Sequence, residues 1–257
     1  MRDFNLNFLG NGSCFNTEFG NTSAYFKYKR IEDGRSILEE DEEIYNAITY
    51  GFKTKLVLID CGETTFERLM NKKILDDVDE VDILITHLHS DHVGSLPSLI
   101  FYLHFVKGIK PEIVFEGNIT KYLDICNVDR SFYKKQDITV MRYLPVKVKH
   151  AKVKHAYGYI INIISKCTAI YYSGDSCTIP NEILEKFKKE EFSTFPFKIS
   201  RIYQDVTRFE NDVHMNIHSL AGLFSEEERK RVTCMHFDDM ETLEIARRYG
   251  FDIAEVK

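Results

Sequence analysis

The sequence predicts an α/β domain arranged as a four-layer α/β/β/α sandwich. Short strands recur in runs interrupted by single helices, which is typical of two mixed sheets packed face to face with helices outside. The chain has 257 residues, of which 44% are hydrophobic, enough for a substantial core. It contains no repeat and no linker rich in Pro, Gly or Ser. We therefore expect residues 1–257 to form a single domain.

The strands are predicted from alternating apolar and polar residues and from β-branched content. Most of them are short, as in a sandwich with many connections. The predicted strands are Asn5 to Leu9, Ser23 to Lys29, Lys55 to Asp60, Val81 to Thr86, Glu112 to Phe115, Ile138 to Arg142, Val146 to Lys149, Tyr157 to Ile164, Ala169 to Ser173, Arg201 to Val206, Arg231 to Met235 and Phe251 to Glu255.

The helices are predicted from apolar residues that recur with helical periodicity. They are spread along the chain between the strands. The predicted helices are Thr65 to Asn71, Pro97 to Lys107, Thr120 to Cys126, Asn181 to Lys189, Ser219 to Leu223 leading into Glu226 to Lys230, and Met240 to Tyr249.

An acidic segment at about residues 31–50 interrupts two strands that would otherwise form a simple hairpin. It contains five consecutive acidic residues, from Glu39 to Glu43. We interpret it as an insertion. Such a block usually forms a solvated face or a mobile loop, and the alternative is a dimer contact or an active-site flap.

The charge and cysteine content narrow the class of protein. The net charge of -6 and the isoelectric point near 5.9 lack the basic footprint of a nucleic-acid binder, so stable nucleic-acid binding is not expected. The six cysteines are far apart, and the chain opens without an apolar signal core. No apolar run approaches the roughly 20 residues that span a bilayer. We expect a cytoplasmic protein without a membrane segment.

The most informative motif is Thr-His-Leu-His-Ser-Asp-His-Val-Gly at residues 86–94, directly after a predicted strand. Imidazole and carboxylate groups suit a divalent transition metal, and one ion cannot comfortably use His87, His89, Asp91 and His92 together. The motif therefore predicts two neighbouring metal ions.

Further ligands are expected where other apolar strands end. His150, Asp175 and His236 each follow such a strand. His155 competes with His150 because it directly precedes the next strand, and the sequence favours His150 without deciding between them.

Together with Asp60 in Leu-Ile-Asp-Cys-Gly, these residues resemble the metallo-β-lactamase superfamily in their order and local context, over nearly the full chain. The resemblance implies the metallo-β-lactamase fold, with Asp60 supporting the site from behind. It also implies that His87, His89 and His150 hold one metal, that Asp91, His92 and His236 hold the second, and that Asp175 bridges the two.

The segment before His236 resembles the tRNase Z-like phosphodiesterase branch of this superfamily. By that resemblance, His214 protonates the leaving oxygen, Asp205 orients His214, and Asp91 also belongs to the catalytic residues. An aspartate stands here where the family usually has glutamate. His218 lies one helical turn from His214 and remains an alternative proton donor.

The short interval between His150 and Asp175 leaves no room for the tRNA-gripping arm of bacterial tRNA 3′-processing enzymes. The chain looks most like the compact phage anti-Pycsar proteins, which implies hydrolysis of 3′,5′-cyclic nucleotides by two divalent metals. Zinc is expected, with manganese as the alternative. The resemblance also implies a homodimer. The alternatives are a tRNA 3′-end endoribonuclease, then a thioesterase or lactamase, and from another class a scaffold without activity.

Overall fold

The computed structural model describes residues 4–31, 36–38, 52–136, 142–163, 168–188 and 198–256. In these residues, two mixed β-sheets pack face to face and helices cover both outer faces. The predicted α/β/β/α architecture is therefore confirmed. Within the same ranges, no helix combines the length and apolar character needed to cross a membrane.

The first sheet has the strand order β1-β2-β4-β5-β6-β7, and β3 pairs with β2 beside β1. Its strands β4 to β7 run parallel, whereas β1, β3 and β4 are antiparallel to β2. The strand bounds are β1 Asn7–Gly10, β2 Ser23–Ile31, β3 Ser36–Leu38, β4 Phe52–Ile59, β5 Glu80–Leu84, β6 Glu112–Val114 and β7 Lys134–Lys135.

The second sheet has the strand order β13-β12-β11-β10-β9-β8. Strands β10 to β13 run parallel, and β8, β9 and β10 form an antiparallel meander. The strand bounds are β8 Tyr143–Lys147, β9 Tyr157–Ile163, β10 Thr168–Tyr172, β11 Lys198–Asp205, β12 Val232–Met235 and β13 Asp252–Ile253.

The described helices are short, and the longest of them spans Met240–Arg248. A π-helical turn, Leu103–Lys107, continues α3 and ends at Gly108, and a 3-10 turn covers Arg130–Phe132. The helix bounds are α1 Thr65–Asn71, α2 Ser90–Val93, α3 Leu96–Tyr102, α4 Ile119–Ile125, α5 Asn181–Lys188, α6 Ile217–Leu223, α7 Glu226–Arg229 and α8 Met240–Arg248.

Alternation along the strands creates three apolar layers. In β4, Leu56 and Leu58 pack against α1, α3 and α4, while Val57 and Ile59 point between the sheets. Strand β10 alternates in the same way between the intersheet layer and the layer under α5, α6 and α8. Because successive side chains of a strand point to opposite faces, strands buried on both faces are apolar throughout.

Several predicted boundaries were wrong by a few residues. Strand β8 begins at Tyr143 and ends at Lys147, not at Val146 to Lys149. It tolerates Pro145 because it is the edge strand of its sheet, where a missing N–H breaks no ladder. The motif helix α2 and the short strands β3 and β7 were missed.

Most of the acidic segment, including Glu39 to Glu43, lies outside the described residues. Of the predicted insertion, only the end of β2 and strand β3 are described. The predicted strand at Ile138 to Arg142 also lies outside them, apart from Arg142.

The carboxyl ends of the parallel strands from the two sheets meet at one edge of the sandwich. Asp60 follows β4, Thr86 and His87 follow β5, and Asp175 and His236 follow β10 and β12. Ligand sites in α/β proteins form at this end of parallel strands, where loops leave the sheet. The fold therefore gathers the predicted ligands from distant parts of the chain.

Candidate metal centre and proton donor

The first donor group consists of three histidine nitrogens. Nδ1 of His89 lies 2.9 Å from Nε2 of His87 and 3.3 Å from Nε2 of His150. His87 and His150 are buried, and His89 is exposed at the N-cap of α2. Nδ1 of His150 lies 3.0 Å from the carbonyl oxygen of Val213, which fixes the ring so that Nε2 faces the group.

The second donor group is buried and contains Asp91, His92, Asp175 and His236. Oδ2 of Asp91 lies 3.3 Å from Nε2 of His92 and 3.4 Å from Nε2 of His236. Asp91 and His92 come from α2, which begins directly after the strand end that carries His87. The single turn of α2 therefore divides the motif between the two donor groups.

The carboxylate of Asp175 faces both groups with different oxygens. Its Oδ1 lies 3.3 Å from Nε2 of His92 and 3.4 Å from Nε2 of His236. Its Oδ2 lies 3.9 Å from Nε2 of His87 and 3.7 Å from Nε2 of His150. Asp175 is positioned as a bridge between the groups.

Asp60 holds the second group from behind. Its buried carboxylate accepts hydrogen bonds from the backbone N–H and the hydroxyl of Thr86, each at 2.8 Å. Nδ1 of His92 lies 2.8 Å from Oδ2 of Asp60, so Nε2 of His92 is directed toward Asp91 and Asp175. This is the carboxylate–histidine arrangement found behind metal ligands.

Charge in the second group is strongly perturbed. Although burial opposes it, Asp175, Asp60 and Asp91 raise the pKa of His92 well above its usual value. Burial likewise disfavours the charge of Asp91, yet His92 and His236 hold its pKa well below the usual range. Both shifts show that the buried carboxylates require positive charge beside them.

The donor set fits divalent metal ions. Nε2 of His92 is buried and has no hydrogen-bond partner among the described residues. An imidazole nitrogen that points at two carboxylates, with its other nitrogen held by Asp60, has the form of a metal ligand. The three imidazole nitrogens of the first group, and the imidazole nitrogens and carboxylate oxygens of the second, suit zinc or manganese.

A histidine–aspartate pair lies beside the two groups. Nδ1 of His214 is 2.8 Å from Oδ2 of Asp205 and 3.9 Å from Oδ2 of Asp175. Burial disfavours the charged imidazole, but the hydrogen bond to Asp205 and the charge of Asp175 raise the pKa of His214 to about 9. His214 is therefore suited to carry a proton at the edge of the candidate metal centre.

Comparison with known proteins agrees with this geometry and identifies the family of the chain. A profile of the β-lactamase superfamily domain matches residues 55–237. The chain belongs to this superfamily. This chain is a metal-dependent hydrolase of that superfamily.

Curated relatives of this superfamily member include anti-Pycsar proteins. Anti-Pycsar protein Apyc1 of Bacillus phage 010DV004 is 24% identical over 263 residues, covering 91% of this chain and 89% of the relative. Apyc1 of Paenibacillus sp. (strain J14) is 28% identical over 220 residues, covering 77% and 84%. Among solved structures, the metallo-β-lactamase fold protein YhfI of Bacillus subtilis matches with a TM-score of 0.65 at 12% identity, covering 96% of this chain and 94% of YhfI.

The two alternative histidines lie elsewhere in this superfamily member. Nδ1 of His155 is 3.4 Å from the Tyr157 hydroxyl, and His155 is in none of the donor groups among the described residues. Nδ1 of His218 lies 2.7 Å from the hydroxyl of Tyr249 on an exposed face. The structure thus brings His150 and His214 to the site, and leaves His155 and His218 outside it.

Several supporting residues were not found from the sequence. The backbone N–H of Ser176 and the amide of Gln204 donate to Oδ1 of Asp205, at 3.1 and 2.6 Å. The side chain of Asn211 accepts from the backbone N–H of His214 at 2.8 Å and so holds the His214 loop. An Asx turn is a local signal that could have identified Asn211, but the bonds to Asp205 depend on tertiary contact.

Proposed function

We propose that this chain is a dinuclear-metal phosphodiesterase that hydrolyses 3′,5′-cyclic nucleotides. The observation that carries the proposal is the His214–Asp205 pair beside the bridging Asp175. When an alkyl phosphodiester is hydrolysed, its leaving oxygen departs as an alkoxide, which needs a proton, and a positioned imidazole supplies one. A lactamase or thioesterase has less need of such a pair.

In this proposal His87, His89 and His150 would hold one cation, Asp91, His92 and His236 would hold the other, and Asp175 would serve both positions. When bound, two divalent cations supply Lewis acidity toward phosphoryl oxygens and lower the pKa of water, so that a nucleophile is available at neutral pH.

In the same proposal, His214 and Asp205 act on the leaving group. Water adds to phosphorus and releases a proton to solvent, the bond from phosphorus to the leaving oxygen breaks, and His214 gives its proton to that oxygen. His214 then regains a proton from solvent. Asp205 keeps the imidazole oriented and stabilises its charged form before transfer. The product is a nucleoside monophosphate.

Two observations support a small substrate. Between His150 and Asp175, the short loop 151–156 leads into β9, and β9 is followed by β10. Ile163 at the end of β9 pairs with Thr168 at the start of β10, so only residues 164–167 connect the two strands. No protruding arm fits in this interval. The curated relatives that cover most of the chain are named anti-Pycsar proteins, and the family resemblance associates them with cyclic nucleotides.

The proposal extends to the metal, the assembly and the location. We expect zinc at both positions, a single-domain chain and a homodimer in the cytoplasm. The five described cysteines are free thiols, which suits a reducing compartment. Metal analysis and light scattering of the purified protein measure the first and third of these expectations.

The deciding experiment is a panel of 3′,5′-cyclic nucleotides incubated with metal-replete protein, with and without a chelator. We expect turnover of at least one member, and its loss with chelator. No turnover of any member, together with efficient 3′ trimming of a precursor tRNA, would favour the endoribonuclease. Turnover of a thioester or a β-lactam alone would place the chain with those hydrolases.

A further inference from the structure

An ordered loop at residues 12–20 borders the second donor group. The backbone N–H of Ser13 and the side chain of Asn16 both donate to the carbonyl oxygen of Phe237, at 3.0 and 3.1 Å. Phe237 directly follows His236. The backbone N–H of Asn16 also donates to the Ser13 carbonyl at 3.0 Å, which closes a turn with Cys14 and Phe15 at its tip.

The tip of this loop carries a phenyl ring in water. The side chain of Phe15 is 93% exposed. A ring this exposed contributes nothing to the core, and the anchored turn holds it beside His236, where it is available to stack on a ligand.

A second loop carries another exposed aromatic ring, and it is anchored to the same segment that begins with His236. Phe209 is 49% exposed and lies in the loop that leads to His214. The Arg208 guanidinium stacks 4.2 Å from the Phe209 ring and binds Asp239 at 3.1 Å. Asp239 belongs to the segment that begins with His236, so both loops are attached to the chain around one metal-ligand candidate.

We propose that Phe15 and Phe209 form a base-binding site that selects phosphodiesters carrying a nucleobase. This inference rests on the proposed function, and it identifies the residues that bind the nucleobase, at the opposite end of the substrate from the phosphate. Stacking on an aromatic face tolerates any base, because every base has a π-face. The site would therefore distinguish a nucleotide from a phosphodiester of similar size without a base.

The chain contains no tryptophan, which provides a direct test. Phe15→Trp introduces a single fluorescent reporter, and Phe105→Trp is its matched control. Phe105 is also exposed, at 69%, but its ring packs beside His104 and Phe132 on the π-helical turn after α3.

We expect adenosine 5′-monophosphate and uridine 5′-monophosphate to quench Phe15→Trp saturably on metal-replete protein. Ribose 5-phosphate should leave its fluorescence unchanged, and the control variant should show no saturable quenching. Equal quenching in both variants, or none in Phe15→Trp, would overturn the base-binding site.

Kinetics separate this inference from the proposed function. Phe15→Ala and Phe209→Ala should each raise the KM for a cyclic nucleotide by about 10-fold, and leave the KM for a baseless cyclic ribose phosphate unchanged. Phe105→Ala should change neither. Wild-type turnover with unchanged KM in both site variants refutes the inference alone, whereas absence of wild-type turnover refutes the proposed function.

Discussion

Nδ1 of His214 lies 2.8 Å from Oδ2 of Asp205 and 3.9 Å from Oδ2 of Asp175. If His214 protonates the leaving oxygen, His214→Ala should slow cleavage of a phosphodiester with a poor leaving group by roughly 10² to 10⁴. An ester with a nitrophenolate leaving group needs no proton, so its rate should change far less. The measurement is kcat on the two substrates.

His218→Ala is the matched control for this experiment. His218 contacts Tyr249 on an exposed face of α6, away from the donor groups, and its loss should leave both rates unchanged. Equal losses on the two esters in His214→Ala would argue against a proton-donor role.

The protonation of His214 should be visible in metal-free protein. Its pKa is raised from 6.5 to about 9, mainly because Asp205 and Asp175 overcome the cost of burial. A raised pKa means that the charged pair stabilises the fold fully below about pH 6.5, and that this contribution disappears as the pH rises through about 9.

Histidine NMR of the metal-free chain, assigned with His214→Ala, measures this pKa. We expect Asp205→Asn to move the midpoint down, toward the ordinary histidine value, since it removes the partner charge. A His214 midpoint at or below 6.5 in the wild type would contradict a pKa raised by Asp205 and Asp175.

The two donor groups predict different metal losses. His150→Ala removes one ligand of the first group and none of the second, so the protein should retain close to one ion per chain. Asp175→Ala should weaken the binding of both ions, because the two carboxylate oxygens of Asp175 face different groups. Metal content after dialysis distinguishes the cases, and equal loss in both variants would speak against two separate groups. Bound metal should also raise the unfolding temperature, since ions bind only the folded cluster.

Three of the candidate donor residues could be predicted from the sequence because each lies at, or within three residues of, the end of a strand. His150, Asp175 and His236 have this position, and the fold brings strand ends to one edge. The layer order was predictable for a related reason: strands buried on both faces leave nearly continuous apolar runs in the sequence.

The support of the site was less predictable. Ser176 and Gln204 hold Asp205 through contacts that no local pattern records. Helix α2 spans one turn, too short for periodicity, and β3 and β7 are similarly brief. The end of strand β8 could not be predicted, because it depends on β8 being the edge strand, and tertiary structure decides which strand lies at the edge of a sheet.

Asp60 should control the second ion through His92. Asp60→Asn keeps the shape of the side chain but removes the charge that faces Nδ1 of His92. We expect metal affinity at the second group to fall by about 10- to 100-fold, with the first group unaffected. Competition with a fluorescent chelator measures both affinities.

The control for this variant is Asp82→Asn. Asp82 is also buried, and it is bonded to Lys55 at 2.8 Å and to the Tyr143 hydroxyl at 2.9 Å, outside the donor groups. Its substitution should lower stability without changing either metal affinity. A similar loss of affinity in both variants would mean that Asp60 acts only through general stability.

Gly62 lies in the loop after β4, and its lack of a side chain allows this loop to approach helix α2 closely. A Cβ at this position would lie 1.9 Å from the carbonyl oxygen of Asp91, so Gly62→Ala must displace the backbone that carries a metal-ligand candidate. We expect a loss of about 1 to 3 kcal/mol in the free energy of unfolding, together with loss of the second ion. In Gly222→Ala, on the exposed face of α6, the new Cβ meets nothing within 4 Å. That variant should gain about 0.5 to 1 kcal/mol from helix propensity. Urea unfolding with metal analysis tests the pair, and full metal content in Gly62→Ala would show that Asp91 tolerates the displacement.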